Sequence, residues 1–346
     1  MNGGDLPMID DLKRLKKEFV FYYESRQNPN GDPGFENQPR LMPDGTILVT
    51  DVRVKRTIRD YAKNRYGETL FVDFGEDGVP VTADQRAEEI FRSKGLIKKG
   101  EKLKSFKGDI MQELLINTFD TSLFGALVTI RGEKKGLSED EEGKSGSKKL
   151  TGPVQLGIGR SVNQVQVINP MISGRFVGKV KEGQEQFSTF GKFYSVEYAL
   201  IKIQGAVNPM NLDQYLDNPK ITKKFLESEE RLFECLWNGT NSLITRSKFP
   251  QRSIFYLEVT YDAVVYNDLP LLMKDDESLK GKVTGLSQHP LDCEKLVSTL
   301  RARKAKVKEV RVAACRELAS DVSELVEHLK AEGIATKIIP TEDPKW

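Results

Sequence analysis

A strand, a turn-rich loop and a helix follow one another between residues 19 and 63, and this order constrains the fold more than any other feature of the chain. The run Phe-Val-Phe-Tyr-Tyr at residues 19–23 is apolar throughout, which predicts a buried strand. The next segment, from Asn28 to Arg40, places the turn-forming pairs Asn-Pro, Asn-Gly and Asp-Pro in succession. Turns of this kind leave backbone N–H groups able to meet anions. A helix from Thr50 to Lys63 is predicted to follow the loop.

This predicted helix carries an apolar stripe and a basic stripe. Three apolar residues recur at helical spacing and are expected to face the core: Val54, Ile58 and Tyr61. Three basic residues recur on a second stripe: Lys55, Arg59 and Lys63. Thr50 and Asp51 are suited to cap the helix N-terminus. Like charges four residues apart repel by about 0.2–0.5 kcal/mol, so the stripe favours an anion bound along it. Together with the loop, the helix points to a nucleic-acid backbone, with a solvated surface helix as the alternative.

The overall charge limits the form that such a binding site can take. The chain has 346 residues, enough for one large domain or two small ones, and a formal net charge of only +2. A nucleic-acid footprint must therefore be a local groove rather than a basic coat. Residues 1–17 are polar and charged, and no apolar run approaches membrane-spanning length, so we expect a cytoplasmic protein with no membrane contact.

Cysteine and histidine usage argues against several classes of enzyme. Cys235, Cys293 and Cys315 have neither metal-ligand nor redox spacing, so we expect reduced and mostly buried thiols. His289 and His328 are the only histidines, which argues strongly against a His-based triad, a zinc hydrolase or a two-histidine ribonuclease. We predict no cofactor and no bound metal.

The rest of the chain predicts an α+β fold with large insertions. Residues 84–116 look like a charged helical insertion, and residues 132–150, rich in Gly, Ser and charge, look like a mobile surface loop. Residues 169–194 interleave aromatic and basic residues, a pattern that suits base stacking with phosphate contact, or else a hairpin packed on its own domain. The tail, residues 292–339, alternates helix, strand, helix and strand. This is a pattern of the ferredoxin-like or RNA-recognition kind.

Several segments, in this order, resemble the backbone subunit of type I CRISPR surveillance complexes (Cascade), with the type I-B group as the closest variety. The segments are NPNGDP, then PR, VTDVRVKRTIRDY, FDTSLFGA, TGPVQLGIGRS and YALIKIQGAVNP. Together they span about Phe19 to Phe255. No single segment is specific, but the combination is.

The resemblance implies a single palm-type domain over residues 15–346, built on a modified RNA-recognition motif. It places helical fingers or web at residues 63–116, the mobile loop at 132–150 and a β-hairpin thumb at 165–195. Family members are non-catalytic and bind the guide RNA (crRNA) spacer as head-to-tail helical multimers. Each thumb flips out a base at regular intervals, and the remaining bases pair with target DNA in antiviral defence. The implied partners are therefore guide RNA, target DNA through the guide, further copies of the chain and other Cascade subunits.

The residues that we expect at the guide RNA fall into five groups. In chain order they are the loop residues Asn30, Gly31, Asp32 and Arg40, the helix residues Lys55, Arg56 and Arg59, the residues before the thumb Gln155, Arg160 and Ser161, the thumb residues Met171, Phe190, Gly191 and Lys192, and finally Arg246. For Arg246 a surface salt bridge is an equal alternative.

Two other functions remain open from the sequence. Related backbone subunits of type III complexes cut target RNA with an aspartate after the first strand, and Asp32 and Asp51 are the corresponding candidates for holding Mg²⁺. Each also has an ordinary structural role, Asp32 in a turn and Asp51 at a helix cap. The other alternative is a protein-only assembly module, whose basic helix meets acidic partner surfaces and which oligomerises without RNA.

Overall fold

The computed structural model describes residues 8–130, 146–174, 189–273 and 283–341, and within these ranges the fold is α+β. The helices are α1 (Ile9–Arg14), α2 (Asp51–Tyr66), α3 (Ala83–Ser93), α4 (Ile110–Asn117), α5 (Phe119–Phe124), α6 (Pro219–Glu230), α7 (Leu232–Asn241), α8 (Glu294–Ala302) and α9 (Ala319–Ala331). The strands are β1 (Leu15–Ser25), β2 (Gly31–Asp32), β3 (Gln38–Pro39), β4 (Leu48–Val49), β5 (Gly125–Ile130), β6 (Gly146–Thr151), β7 (Val154–Leu156), β8 (Gly159–Ser161), β9 (Val167–Ile168), β10 (Met171–Gly174), β11 (Thr189–Lys192), β12 (Ser195–Val196), β13 (Ala199–Val207), β14 (Gln251–Asp262), β15 (Val307–Ala314) and β16 (Thr336–Ile338).

The main sheet has β1 at its centre, which explains the apolar run at residues 19–23. The strand order is β16-β15-β14-β1-β13-β8-β4, and β7 also pairs with β13. The neighbours are antiparallel except β15 and β16. Both faces of β1 are covered, so residues pointing either way are apolar. The predicted buried strand is confirmed.

Each face of the sheet has its own core. On one face, Phe19 and Phe21 of β1 pack with Ile58 of α2 and Trp237 of α7. On the other face, Val20 and Tyr22 of β1 belong to a second core that includes Leu300 of α8 and Leu325 of α9. The helix–strand alternation predicted for the tail is therefore confirmed: β15 and β16 extend the sheet, and α8 and α9 cover this second face.

A third, smaller core lies outside the sheet, in the region predicted as a helical insertion. Phe91 of α3, Leu114 of α4 and Val128 of β5 meet there. The helices predicted within residues 84–116 are present as α3 and α4, joined through a 3-10 turn at Leu103–Ser105.

A buried ionic cluster ties the sheet to the helical layer. Glu258 of β14 is 2% exposed, and it lies 3.6 Å from Lys17 of β1 and 3.2 Å from Arg311 of β15. Tyr256 donates a hydrogen bond of 2.7 Å to it, and Lys17 also pairs with Glu229 of α6. Burial alone would raise the pKa of Glu258, but the two cations outweigh it and hold the pKa below its ordinary value. The cluster links three strands and one helix.

The loop predicted over residues 132–150 is wrong at its end. Residues 146–151 form β6, which pairs antiparallel with β5, while residues 131–145 lie outside the described part of the chain. The strand was hidden in the sequence because Lys148 and Lys149 are exposed and only Leu150 turns inward. Backbone pairing does not depend on those side chains, so a segment with a charged composition can still form a strand.

The thumb predicted over residues 165–195 is described only at its base. There β10 pairs antiparallel with β11 and β9 with β12, while residues 175–188 lie outside the described part. For Met171, Phe190 and Gly191 the structure describes the backbone alone.

The structure also bears on the expectations for the cysteines and for membrane-spanning segments. Cys235, Cys293 and Cys315 are free thiols, and the first and last are buried, as expected. Within the described residues, no helix is both long enough and apolar enough to cross a membrane.

Candidate nucleic-acid interface

The loop from Asn28 to Arg40 is a compact hairpin built on β2 and β3. The Asn28 side-chain amide donates to the Asn37 carbonyl at 2.6 Å, and its Oδ1 accepts from the Asn30 N–H at 3.2 Å. A side chain at position 31 would place its Cβ only 2.8 Å from the Asn37 carbonyl oxygen, so the close approach requires glycine. The turn residues predicted to shape the loop thus hold its two arms together.

Several N–H groups of this loop already have partners, which corrects the expectation that these groups wait for an anion. Five of them donate within the loop: those of Asn30, Gly34, Phe35, Asn37 and Gln38. Asp32 accepts two with its carbonyl and one with its carboxylate, and that carboxylate also pairs with Arg40 at 3.1 Å. Both charged residues predicted at the RNA here, Asp32 and Arg40, are thus engaged with each other.

Helix α2 begins and packs as predicted. The Thr50 hydroxyl accepts from the Arg53 N–H at 3.3 Å, which makes Thr50 the N-cap. Val54 and Ile58 are buried and Tyr61 is half-buried against the first core. The helix ends at Tyr66, three residues later than predicted.

The basic stripe of α2 is neutralised by the protein's own carboxylates. The pairs are Lys55 with Asp51 (3.0 Å), Arg56 with Asp60 (2.6 Å), Arg59 with Asp120 (2.8 Å) and Lys63 with Asp73 (2.5 Å). These carboxylates already offset the repulsion between the like charges, so the helix needs no external anion for its stability. The inference that the repulsion favours an anion bound along the stripe is therefore wrong. The predicted RNA contacts Lys55 and Arg56 would have to exchange a carboxylate for a phosphate.

Arg59 departs furthest from the predicted exposed stripe, because it is only 7% exposed. Its partner Asp120 is buried as well and also accepts hydrogen bonds from the backbone N–H groups of Phe71 and Val72, at 2.7 and 2.9 Å. Arg59 therefore belongs to a structural cluster at the root of the helical insertion. RNA contact by Arg59 would require breaking this buried pair.

Two other cations lie beside the loop and form no salt bridge with a carboxylate among the described residues. Arg53, in the first turn of α2, donates to the Thr57 hydroxyl at 3.0 Å, and Lys248 donates to the Asn28 carbonyl at 2.7 Å. Neither forms a salt bridge within the part of the chain that the structure describes. Burial lowers the pKa of Arg53. Burial and the charge of Arg53 lower the pKa of Lys248 to about 8. We call these two residues the cation pair.

The base of the predicted thumb meets the same place. Lys192 pairs with Glu36 of the loop at 2.9 Å, and the Tyr194 hydroxyl donates to the same carboxylate at 3.1 Å. The Arg246 guanidinium lies 5.5 Å from the centre of the Phe193 ring. Loop 28–40, residues 192–194, residues 245–249 and the start of α2 therefore converge, and we call this region the junction.

Three other predicted residues do not contact the junction. Gln155 donates to the Gly152 carbonyl at 2.9 Å, and Arg160 pairs with Asp44. Ser161 is buried, where its hydroxyl accepts from the Ile47 N–H at 2.8 Å and donates to the Asn163 carbonyl at 2.6 Å. Ser161 therefore has a structural role, and only Gln155 and Arg160 remain accessible.

The sequence contains a signal for the cation pair: neither cation has an acidic residue three or four positions away. A search for basic stripes does not detect this signal. Lys55 and Arg56 each have an aspartate four residues away, whereas no acidic residue lies three or four positions from Arg53. Residues 244–252, ITRSKFPQR, contain three cations and no acid. A search for cations without a local carboxylate would have found both members.

Comparison with known proteins gives a consistent set of relatives. A family model described as CRISPR-associated protein Cas7 matches residues 15–287. A curated protein of Haloferax volcanii, named CRISPR-associated protein Cas7, is 25% identical over 317 residues, which are 89% of this chain and 89% of that protein. The matched family region includes the junction and leaves α8, β15, α9 and β16 outside.

Two solved structures are similar as well. One is a chain of a "CRISPR RNA-guided surveillance complex", with a TM-score of 0.45, 10% identity, and coverage of 87% of this chain and 89% of that chain. The other belongs to such a complex described as "pre-nicking", with a TM-score of 0.43, 12% identity, and coverage of 87% and 92%.

Proposed function

Because the chain belongs to the CRISPR-associated Cas7 family, we propose that it is a non-catalytic backbone subunit of a type I CRISPR surveillance complex of the I-B kind. In this role it binds the spacer of a guide RNA and presents its bases to target DNA. Base pairing then reads the sequence, so the protein needs only contacts to the RNA backbone and shape.

The observation that carries this proposal is the cation pair at the junction. Two cations near each other, partly removed from water and without a carboxylate partner within the described ranges, form a site that favours an anion. A phosphate would supply the missing negative charge and accept charge-assisted hydrogen bonds from both. The turn-rich loop and the base of the thumb border the same place, so an extended RNA backbone has several segments to lie against.

The remaining parts take roles that follow from the family. We propose that the main sheet is an RNA-recognition palm, that the helical insertion at residues 63–116 forms the fingers, and that residues 165–195 form the thumb. Copies associate head to tail along the RNA, and other Cascade subunits complete the particle. A head-to-tail interface that does not close generates a helical filament, and the formal net charge of +2 keeps repulsion between copies small.

The predicted RNA contacts now divide by accessibility. Lys192 and Arg246 lie at the junction and remain in the proposal, as do the accessible Lys55 and Arg56. The contacts predicted for Asn30, Gly31, Asp32, Arg40, Gln155, Arg160, Met171, Phe190 and Gly191 remain predictions. We do not carry Arg59 and Ser161 further, because both are buried and bonded.

We do not carry the nuclease alternative further, because the structure gives its two candidate carboxylates other partners. Asp32 pairs with Arg40 and closes a turn, and Asp51 pairs with Lys55 in the first turn of α2. Among the residues that the structure describes, no group of three or more His, Cys, Asp or Glu side chains is arranged to hold a metal ion.

RNA-dependent assembly is the direct test of the proposed function. Size-exclusion chromatography with light scattering would be run on the protein with and without a spacer-length single-stranded RNA, at low and at high salt. We expect a discrete multimer only with RNA and only at low salt, since log affinity falls by about 0.7 per phosphate contact for each unit of log salt. A particle of the same mass in every condition would overturn the proposal and favour a protein-only assembly module.

RNA affinity is also expected to depend on pH through Lys248. Its pKa of about 8 means that the ammonium is mostly charged at pH 7 and mostly neutral at pH 9. A bound phosphate favours the charged form, so binding takes up a proton, and affinity should fall by up to about tenfold between these two pH values. Fluorescence anisotropy at constant ionic strength measures this change. Lys248→Arg should bind at pH 7 and lose the dependence, because arginine stays charged; an unaltered pH profile in this variant would exclude Lys248 as its source.

A further inference from the structure

Two exposed apolar side chains adjoin the cation pair in the chain, and a third lies four residues before Lys248. Val52 is 66% exposed, Ile244 is 72% exposed and Phe249 is 55% exposed. Val52 directly precedes Arg53, and Phe249 directly follows Lys248. Each member of the cation pair thus has an exposed apolar neighbour in the chain.

The packing of two helices brings these chain segments together in space. Helix α7 lies against α2 so closely that a Cβ at Gly239 would come within 3.1 Å of the Tyr61 Cβ and 3.2 Å of the Thr57 carbonyl oxygen. Arg53, at the start of α2, lines one small cavity together with Thr240 and Gln251. Ile244 and Phe249 lie between those last two residues in the chain. We call Val52, Ile244 and Phe249 the apolar strip.

The apolar strip could contact either another protein copy or a nucleotide, and the nearby cation pair decides between the two. Single exposed apolar residues need no explanation, but a group beside a functional site does. An apolar surface of another protein copy would bury Arg53 and Lys248 without giving either a counter-ion, which is unfavourable. A ribonucleotide satisfies both features at once, because its phosphate is anionic and its base has an apolar face.

We propose that the apolar strip holds an unstacked nucleobase of the bound RNA, with the Phe249 ring stacked on it and Val52 and Ile244 at its edges. This inference rests on the proposed function and adds a base-binding subsite on the palm, separate from the thumb residues. A phenyl ring stacks on any of the four bases, so the subsite tolerates the variable sequence of a spacer.

The test uses the full chain and an RNA that carries 2-aminopurine, a fluorescent base whose emission falls when it stacks. Phe249→Ala is expected to weaken RNA binding by about 5- to 150-fold. The slope of log affinity against log salt should stay unchanged, because no phosphate contact is lost. Phe249→Tyr keeps the aromatic ring and should bind and quench like the original protein. Phe74→Ala is the matched control, since Phe74 is 51% exposed, next to Asp73, the partner of Lys63.

The outcomes separate this inference from the proposed function. If Phe249→Ala binds RNA normally while removal of the cation pair abolishes binding, the base subsite is wrong and the proposed function stands. If Phe249→Ala binds RNA but forms no RNA-dependent multimer, the apolar strip is a contact between protein copies, and the inference is overturned. If the unmodified protein binds no RNA, both fail. Circular dichroism and thermal melting of each variant establish that it is folded.

Discussion

Replacing Arg53 and Lys248 together by alanine is expected to weaken the binding of single-stranded RNA by roughly two to four orders of magnitude. Each charge-assisted hydrogen bond contributes about 1.5–3 kcal/mol, and two would be lost. Neither side chain has a carboxylate partner that its removal would leave unpaired within the described ranges, so the fold should tolerate the change. Fluorescence anisotropy over a series of salt concentrations measures the effect. The slope of log affinity against log salt should fall by about 1.4 per bound protomer.

The matched control is the double substitution of Lys55 and Arg56 by alanine, which also removes two positive charges, both from α2, the helix that carries Arg53. Because Asp51 and Asp60 already neutralise these cations, we expect a loss of only a few-fold in affinity. The reverse order, with Lys55 and Arg56 essential and the cation pair dispensable, would show that RNA displaces the aspartates. The first interpretation of the sequence, a basic helix along the RNA, would then be correct.

The second large effect is on stability and concerns Glu258. Replacing it by Gln keeps its size but leaves Lys17 and Arg311 in a buried site without their shared negative charge. Removal of one partner from a buried ionic cluster lowers the free energy of unfolding by about 3–5 kcal/mol. Urea denaturation, followed by circular dichroism and by tryptophan fluorescence, measures this change as a shift of the midpoint.

Glu317→Gln is the control for this prediction. Glu317 pairs with Arg252 at 2.5 Å but is half exposed, so its loss should lower the free energy of unfolding by less than about 1 kcal/mol. Equal effects of the two substitutions would mean that the Glu258 cluster is hydrated and contributes no more than a surface pair. Since Glu258 lies on β14 away from the junction, RNA affinity of the folded variant should not change.

The elements of the fold were readable from local pattern, whereas their arrangement was not. Strand β1, helix α2 and the α8–β15–α9–β16 tail follow from apolar periodicity and turn residues, which act over a few positions. Strand β1 pairs with β13 and β14 through residues 174 to 247 positions apart in the chain, and no local pattern encodes this pairing. Strand β6 was missed because it pairs with β5 through backbone hydrogen bonds, and amino-acid composition does not reveal such pairing.

The candidate site divides in the same way. The hairpin loop and the helix cap were predicted because Asn, Gly, Asp and Thr act on their immediate neighbours. The structural role of Arg59 was not predicted, because its partner Asp120 lies 61 positions away in the chain. Lys248 was missed for a similar reason: it reaches the loop at Asn28 across 220 positions. The pattern of charges along one helix therefore predicted the helix correctly. It did not show which of the basic residues have carboxylate partners in the folded protein.

The central place of β1 has a consequence for how the chain is made. Its eleven residues leave the ribosome well before either partner strand, because β13 and β14 begin only at Ala199 and Gln251. At about 5–20 residues per second, the nascent strand stays unpaired for on the order of ten seconds or longer. Its apolar side chains and open edges are then a target for chaperones and for aggregation. Co-expression with a holdase, or slower synthesis at low temperature, should therefore raise the soluble yield more than changes at the surface of the finished protein.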